Sequence, residues 1–340
     1  MNRRAFAKNL AFSYPLLAAA RPLFRKKRLL PHRLQPGDTI GMITPGSYIS
    51  DESLEKAVNN VLKLGFKVKL GKNIRAKRGF NAGTDQQRLD DLHLMFSDDS
   101  VAGIWCARGG YGCSRLLPFI DYALIQKNPK ALIGYSDITA LLNAIYHKTG
   151  LVGFHGPVAA SELTEYTETQ FRAVVMEGKA PYNIPLSAAN MEKEEDAFHP
   201  YAIHSGRAKG TLAGGNLSLL AALAGTEYLP DARGKLVFIE DVGEKPYRID
   251  RMLTQLRQAW GLGQAAGIAM GTYADCQPEE GDLSLSLEET IRDRTEDLGI
   301  PAIYGLSFGH IDNQCTLPVG IEAELNVEER RLTLLEAAVK

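Results

Sequence analysis

The sequence predicts an α/β protein: a largely parallel sheet flanked by helices, followed by a second α/β unit with a β-rich end. Three observations carry this. Short β-rich runs alternate with segments whose apolar residues recur at helical spacing. Several of these runs end in Gly- or Pro-containing turns that lead straight into a helix start. The alternation breaks once, between residues 178 and 206. There Pro181, Pro185 and Pro200 stand with the solvated charge run Glu192-Lys193-Glu194-Glu195-Asp196, so the chain divides in two.

The elements follow in order. Thr39 to Thr44 is a strand ending in the turn Pro45-Gly46-Ser47. Ser50 or Asp51 can cap a helix with Leu54, Ala57, Val58, Val61 and Leu62 on one face, and Gly65 stops it. Phe66 to Leu70 is the next strand. Thr84 and Gln87 have capping-box spacing before a helix that buries Leu89, Leu92, Met95 and Phe96. Strands follow at Val101 to Cys106, Lys130 to Gly134 and Leu151 to Phe154, with a helix from Ile138 to His147. In the second half, strands are expected at Arg207 to Leu212, Lys235 to Ile239, Ala266 to Met270 and Ala302 to Leu306. Helices are expected at Leu217 to Ala224, Tyr247 to Ala259 and Leu287 to Leu298, and two short strands lie within Glu322 to Leu335. The resulting division is 1–34 as a leader and linker, 35–180 as the first domain, 181–206 as the connection, and 207–340 as the second domain.

The leader reads as an address. Arg3 and Arg4 are followed by Phe6 and Lys8, then by a mildly apolar stretch from Leu10 to Ala20 that ends in three alanines. This is the pattern of a twin-arginine export signal, so a periplasmic or exported location is expected. The alternative is a basic N-terminal helix on a cytoplasmic protein.

Composition narrows the function classes. The 340 residues carry 39 Lys and Arg against 40 Asp and Glu, which gives no general attraction to nucleic acid. A mean hydropathy of −0.16 and the lack of a long apolar run argue against an integral membrane span. Cys106, Cys113, Cys276 and Cys315 form no CxxC pair and have no zinc-finger spacing, so no metal is expected.

Three loops carry chemistry. In Ile133-Gly134-Tyr135-Ser136-Asp137-Ile138 a buried strand runs into a serine and then a helix. Such a turn exposes the serine Oγ at the edge of the sheet, beside free N–H groups of the helix start. A usual nucleophile elbow has a glycine two residues after the serine, where this chain has Ile138, and alone Ser136 reads as a helix cap. A serine nucleophile needs a base, and the base needs an orienting acid. His155 and His310 each follow a strand, and the residues do not decide between them. Glu240 and Asp241 follow an apolar strand and point to opposite sides of it, so one of them can face a site. The glycine-rich Arg108-Gly109-Gly110-Tyr111-Gly112 lacks the Lys and Ser/Thr of a nucleotide-binding P-loop. It suits an oxyanion or a carboxylate better.

Taken together these segments resemble one family. Thr44-Pro45-Gly46-Ser47, Ala107 to Gly112, Ile133 to Asp137, Gly210 to Leu217, Phe238 to Glu244 with Tyr247 to Arg251, Gly309-His310 and Thr316 to Gly320 occur in the order of the LD-carboxypeptidases. That family of serine peptidases also contains the microcin C immunity hydrolases. The resemblance runs from about Gly37 to Leu335. It implies a flavodoxin-like first domain and a smaller C-terminal domain. It also implies a Ser–His–Glu triad of Ser136, His310 and Glu240, with oxyanion donors at the N–H groups of Gly110 and Asp137. The implied reaction is release of the terminal D-alanine from a murein tetrapeptide, with no cofactor, by a homodimer. Arg108 and Arg248 are candidate partners for the substrate's carboxylate. The alternatives are hydrolysis of microcin-like peptidyl-nucleotides or other amides, and a non-catalytic muropeptide-binding protein.

Overall fold

A computed structural model describes residues 27–340. The twin-arginine pattern lies outside the described residues. In the first half the strands are β1 (Thr39–Ile43), β2 (Lys67–Leu70), β3 (Gly103–Cys106), β4 (Ala131–Gly134) and β5 (Gly153–His155). The remaining strands are β6 (Tyr182–Ile184), β7 (Tyr201–His204), β8 (Arg207–Asn216), β9 (Leu236–Val242), β10 (Gly267–Ala274), β11 (Ala302–Gly309), β12 (Leu317–Val319), β13 (Glu322–Asn326) and β14 (Arg331–Leu334).

The first sheet has the order β12-β5-β4-β3-β1-β2, and β1 to β5 are parallel. Its helices are set by local signals. Ser50 Oγ accepts the Ser53 N–H at 3.1 Å to cap helix Asp51–Lys63, which buries Leu54, Ala57 and Val61. Thr84 and Gln87 complete a reciprocal capping box on helix Asp85–Ser97. The chain leaves β1 toward β2 on one side and returns to β3 on the other. The carboxyl ends of β1 and β3 therefore flank the reversal of strand order, where open α/β sheets bind ligands. The Pro45-Gly46-Ser47 turn and the glycine-rich 108–112 loop leave from those two ends.

The second sheet has eight strands in the order β6-β14-β13-β8-β9-β10-β11-β7. Its centre, β8 to β11, is parallel, and its flanks are antiparallel. The proline-punctuated stretch after residue 180 supplies both edge strands, β6 and β7, and the short helix Ala188–Met191. Prolines are tolerated there because an edge strand leaves one row of its N–H groups unpaired. The sheets are tied by β12, which comes from the second half of the sequence and pairs antiparallel with β5 of the first sheet. Buried aromatic residues anchor the first sheet. Trp105 stacks on Phe171 at 4.6 Å and donates its indole N–H to the Pro157 carbonyl at 2.7 Å. Among the described residues no helix is long and apolar enough to cross a membrane. All four cysteines are buried and free.

Candidate active site

Strand β4 is fully buried and ends at Gly134. Two residues later Ser136 adopts φ +62°, the left-handed region that a side chain with a Cβ normally avoids. Such a conformation costs on the order of 1–3 kcal/mol and persists only where the surroundings enforce it. A tight turn over Ser136–Ile138 then opens into helix Thr139–Thr149. Sequence reasoning expected this strand–serine–helix corner, and the structure forms it without the second glycine.

The glycine-rich loop packs directly against the corner. A Cβ on Gly109 would lie 3.1 Å from Ser136 Cβ and 3.1 Å from the Tyr135 carbonyl, so a side chain there would press the corner back by a few tenths of an ångström. Gly110 has φ +92°, and a Cβ there would meet Ser47 Oγ at 2.4 Å. The loop is pinned on three sides. Ser47 N–H donates to the Gly109 carbonyl (3.0 Å), Tyr111 N–H donates to Ser47 Oγ (3.0 Å), and Cys113 N–H donates to Asp137 Oδ2 (2.8 Å). Burial raises the Asp137 pKa against the lowering effect of the Cys113 hydrogen bond. Among the described residues, neither the Gly110 N–H nor the Asp137 N–H has a hydrogen-bond acceptor.

His310 follows β11 and Glu240 lies within β9. Gly309 makes their meeting possible, since a Cβ there would press on the Thr272 carbonyl at 2.8 Å and on Glu240 Cβ at 3.2 Å. His310 Nδ1 is 2.8 Å from Glu240 Oε2. Glu240 is completely buried, while the His310 side chain keeps 18% of its surface exposed. Burial pushes the Glu240 pKa up, but the His310 charge and hydrogen bond outweigh it, so the carboxyl is held below its ordinary value. Burial likewise pulls His310 down, and the Glu240 charge and hydrogen bond reverse this, leaving the imidazole above its ordinary value. With Glu240 ionised, Nδ1 carries the proton and Nε2 is left as the basic nitrogen.

The two members of each open choice of the sequence differ in geometry. His155 is buried among Phe238, Phe308 and Tyr135, with no hydrogen-bond partner on either ring nitrogen. Burial pushes its pKa down to about 4. Of the two, His310 is the one hydrogen-bonded to a carboxylate. Asp241 turns away from Glu240 and accepts from Asn216 Nδ2 (2.9 Å), Ser218 N–H (2.9 Å) and Ser218 Oγ–H (2.7 Å). Burial and the neighbouring Glu240 charge raise its pKa to about 6.

The corner and the His–Glu pair sit on different sheets and meet at Tyr135. Its ring centroid lies 4.7 Å from that of His310, and the next residue is Ser136. Ser136 Oγ and His310 do not hydrogen-bond here. Such contacts commonly tighten only when substrate is bound. Sequence reasoning missed Tyr135, and it missed what holds the sheets in register. Thr139 Oγ1 accepts the Asn216 N–H at 3.0 Å, and Asn143 Nδ2 donates to the Gly214 carbonyl at 2.9 Å. A Cβ on Gly215 would strike Thr139 Oγ1 at 2.5 Å, which is a reason for the Gly214-Gly215-Asn216 run that no spacing rule supplies.

The two arginines lie apart. Arg108 is exposed beside Gly109 and donates to the Tyr48 carbonyl at 2.9 Å. Arg248 is exposed on helix Pro246–Ala259, near Tyr247 Oη (3.1 Å) and Glu244 (3.5 Å), in a groove of about 510 Å³ that also holds Asp282 and Leu283. It touches neither Ser136 nor His310. Among the described residues no group of three or more His, Cys, Asp or Glu side chains could hold a metal ion.

Known proteins share this arrangement of elements. The chain matches the LD-carboxypeptidase N-terminal domain over residues 40–156 and the LD-carboxypeptidase C-terminal domain over residues 209–325. It is 40% identical over 314 residues to a probable murein peptide carboxypeptidase of Bacillus subtilis, covering 91% of this chain and 95% of that one. It is 35% identical to the murein tetrapeptide carboxypeptidase of Pseudomonas aeruginosa, covering 86% and 94%. Among solved structures, the microcin C7 self-immunity protein MccF in complex with glutamyl sulfamoyl guanosine superimposes with a TM-score of 0.82 at 26% identity, covering 92% and 100%. With both domain matches in sequence order and carboxypeptidase relatives matching over most of its length, the chain is an enzyme of the LD-carboxypeptidase family.

Proposed function

We propose that the enzyme is a serine carboxypeptidase that cleaves an L–D amide and releases the terminal D-alanine of a murein tetrapeptide. Ser136 is the nucleophile, His310 the base and Glu240 the orienting acid. The observation that carries this reading is the His310–Glu240 hydrogen bond, made beside a serine held at φ +62° against the glycine-rich loop. Murein peptide relatives at 35–40% identity support the substrate class.

In this reading His310 Nε2 takes the proton of Ser136 as Oγ attacks the carbonyl carbon. Glu240 holds the tautomer and stabilises the imidazolium. The developing oxyanion is received by the free N–H groups of Gly110 and Asp137, each such donor being worth about 3–4 kcal/mol in the transition state. The imidazolium then protonates the leaving D-alanine nitrogen. Water, deprotonated by the same base, hydrolyses the acyl-enzyme and regenerates Ser136. Arg108 is favoured over Arg248 for a substrate carboxylate, because it adjoins the glycine-rich loop.

A reactive-serine probe tests the assignment. A fluorophosphonate is expected to label Ser136, with no labelling of Ser136→Ala and labelling of His310→Ala slowed by at least about a hundredfold. Labelling of Ser136→Ala at the wild-type rate contradicts the assignment. The likeness to MccF favours a second reading, in which the same residues hydrolyse a peptidyl-nucleotide amide. It predicts probe labelling without release of D-alanine from the tetrapeptide.

A further inference from the structure

Burying a guanidinium is costly, and replacing a buried ion pair by apolar side chains of similar size is often neutral or stabilising. Arg88, near the start of helix Asp85–Ser97, is such a group, with 1% of its side chain exposed. Among the described residues its Nε–H has no hydrogen-bond partner. Packing alone gives no reason for a cation there, and its contacts do. Nη1 donates to the Pro45 carbonyl at 2.6 Å, and Nη2 pairs with Asp85. Asp85 also takes Arg115, whose Nη2 and Nε lie 2.8 Å and 3.1 Å from its carboxylate. Pro45 belongs to the turn after β1, and Arg115 lies just beyond the glycine-rich loop after β3. One carboxylate and two guanidinium groups thus tie a helix fixed by its capping box to both loops.

The tie ends at the reactive corner. A Cβ on Gly46, the residue after Pro45, would lie 2.4 Å from the Gly109 carbonyl and 2.8 Å from Asp137 Oδ2. A Cβ on Gly112 would lie 2.7 Å from Arg88 Nη1 and 2.5 Å from Asn81 Oδ1. The guanidinium is therefore packed against the loop that carries Gly110. The turn it holds is packed against both Gly109 and Asp137. Burial disfavours the charge on Asp137, and the Arg88 charge is among the effects that offset this.

We propose that Arg88 is a positioning residue, which with Asp85 and Arg115 holds the N–H groups of Gly110 and Asp137 where a developing oxyanion needs them. The inference rests on the Ser136 reading above and adds to it the device that keeps the oxyanion donors in place. The planar fork matters as well as the charge. It bonds Pro45 and Asp85 in two fixed directions at once, which an ammonium on a flexible stem does not.

Two measurements on the full chain separate positioning from a merely structural role. One is the rate at which a fluorophosphonate labels Ser136, which draws on the oxyanion donors. The other is amide hydrogen exchange, followed peptide by peptide. Arg88→Lys and Arg88→Gln are expected to label about 10²-fold more slowly, the lower end of the cost of one lost oxyanion donor. Hydrolysis in both is expected to lose kcat at nearly constant KM. Exchange is expected to quicken in residues 107–115 and to stay unchanged in β9 and helix Pro246–Ala259. Arg115→Ala removes only the half-exposed end of the chain of charges. It is expected to keep the parent melting temperature and to label about threefold to fivefold more slowly, the worth of such an ion pair. Labelling within about twofold of the parent in all three variants overturns the proposal. So does exchange that rises equally across both sheets in the two Arg88 variants, which makes Arg88 a residue of general stability. Should neither Arg88 variant fold, Arg115→Ala decides alone, and labelling at the parent rate overturns the proposal. If the probe does not label Ser136 in the parent, the nucleophile reading fails and exchange decides: an unchanged pattern at residues 107–115 in the Arg88 variants overturns the positioning role.

Discussion

At the scale of residues, the site depends on opposing effects at a single hydrogen bond. Burial of His310 disfavours its charged form, and the buried Glu240 carboxylate more than restores it, so the imidazole titrates above its ordinary value. A general base works only when neutral. Activity must therefore fall as pH drops through that raised pKa, placing the acid limb of kcat/KM above about 6.5, the unperturbed histidine value. Glu240→Gln removes the charge that raises it. The limb is expected to move to lower pH, and kcat to fall about 10⁴-fold, the cost of losing the orienting carboxylate in such triads. A pH profile of both proteins checks this, and a limb that stays in place in the variant contradicts the pairing. The sequence showed that Glu240 and Asp241 point apart, because strand parity is local. Which of them, and which histidine, faces Ser136 depends on how two sheets meet, and no local rule contains that. The resemblance in motif order named His310 and Glu240, and in the structure these two side chains lie 2.8 Å apart.

At the scale of elements, helix Thr139–Thr149 fixes the distance between the two halves of the site. It starts at the Ser136 corner and docks on the end of β8 through Thr139 and Asn143. Residue 216 of β8 pairs with Glu240 of β9, so this docking sets where the His–Glu pair stands relative to the serine. Thr139→Val keeps the shape and removes the acceptor, leaving the buried Asn216 N–H unpaired. A loss of about 1–3 kcal/mol in urea unfolding is expected, together with a fall in kcat at nearly constant KM. Unchanged stability and kcat contradict this role for the helix. Elements with local signals were legible in the sequence. Ser50 and the Thr84–Gln87 box started helices where expected, and the parallel strands of the first sheet lay within a residue or two of their expected ends. Strands β6, β7 and β12 were not. Each has three or four residues and pairs with a partner far away in sequence, and prolines beside or within each of them mimic loop chemistry.

At the scale of the whole molecule, the proposed triad is assembled from both halves of the chain. Ser136 comes from the first sheet, and Glu240 and His310 come from the second. The crossing strand β12 begins seven residues after His310 and pairs with β5 of the first sheet, which ends at His155. The seam between the sheets is thus closed by the chain itself close to the site. Sequence periodicity gave the α/β class. It could not give the seam, whose contacts join residues 71 to 175 positions apart. The central claim is that this seam hydrolyses the last amide of a murein tetrapeptide through Ser136. Mass spectrometry of the purified protein incubated with L-Ala-γ-D-Glu-meso-diaminopimelyl-D-Ala tests it most directly. The account predicts loss of one D-alanine residue by the wild type and none by Ser136→Ala. An intact tetrapeptide after prolonged incubation with wild-type protein, or equal release by the two proteins, contradicts it.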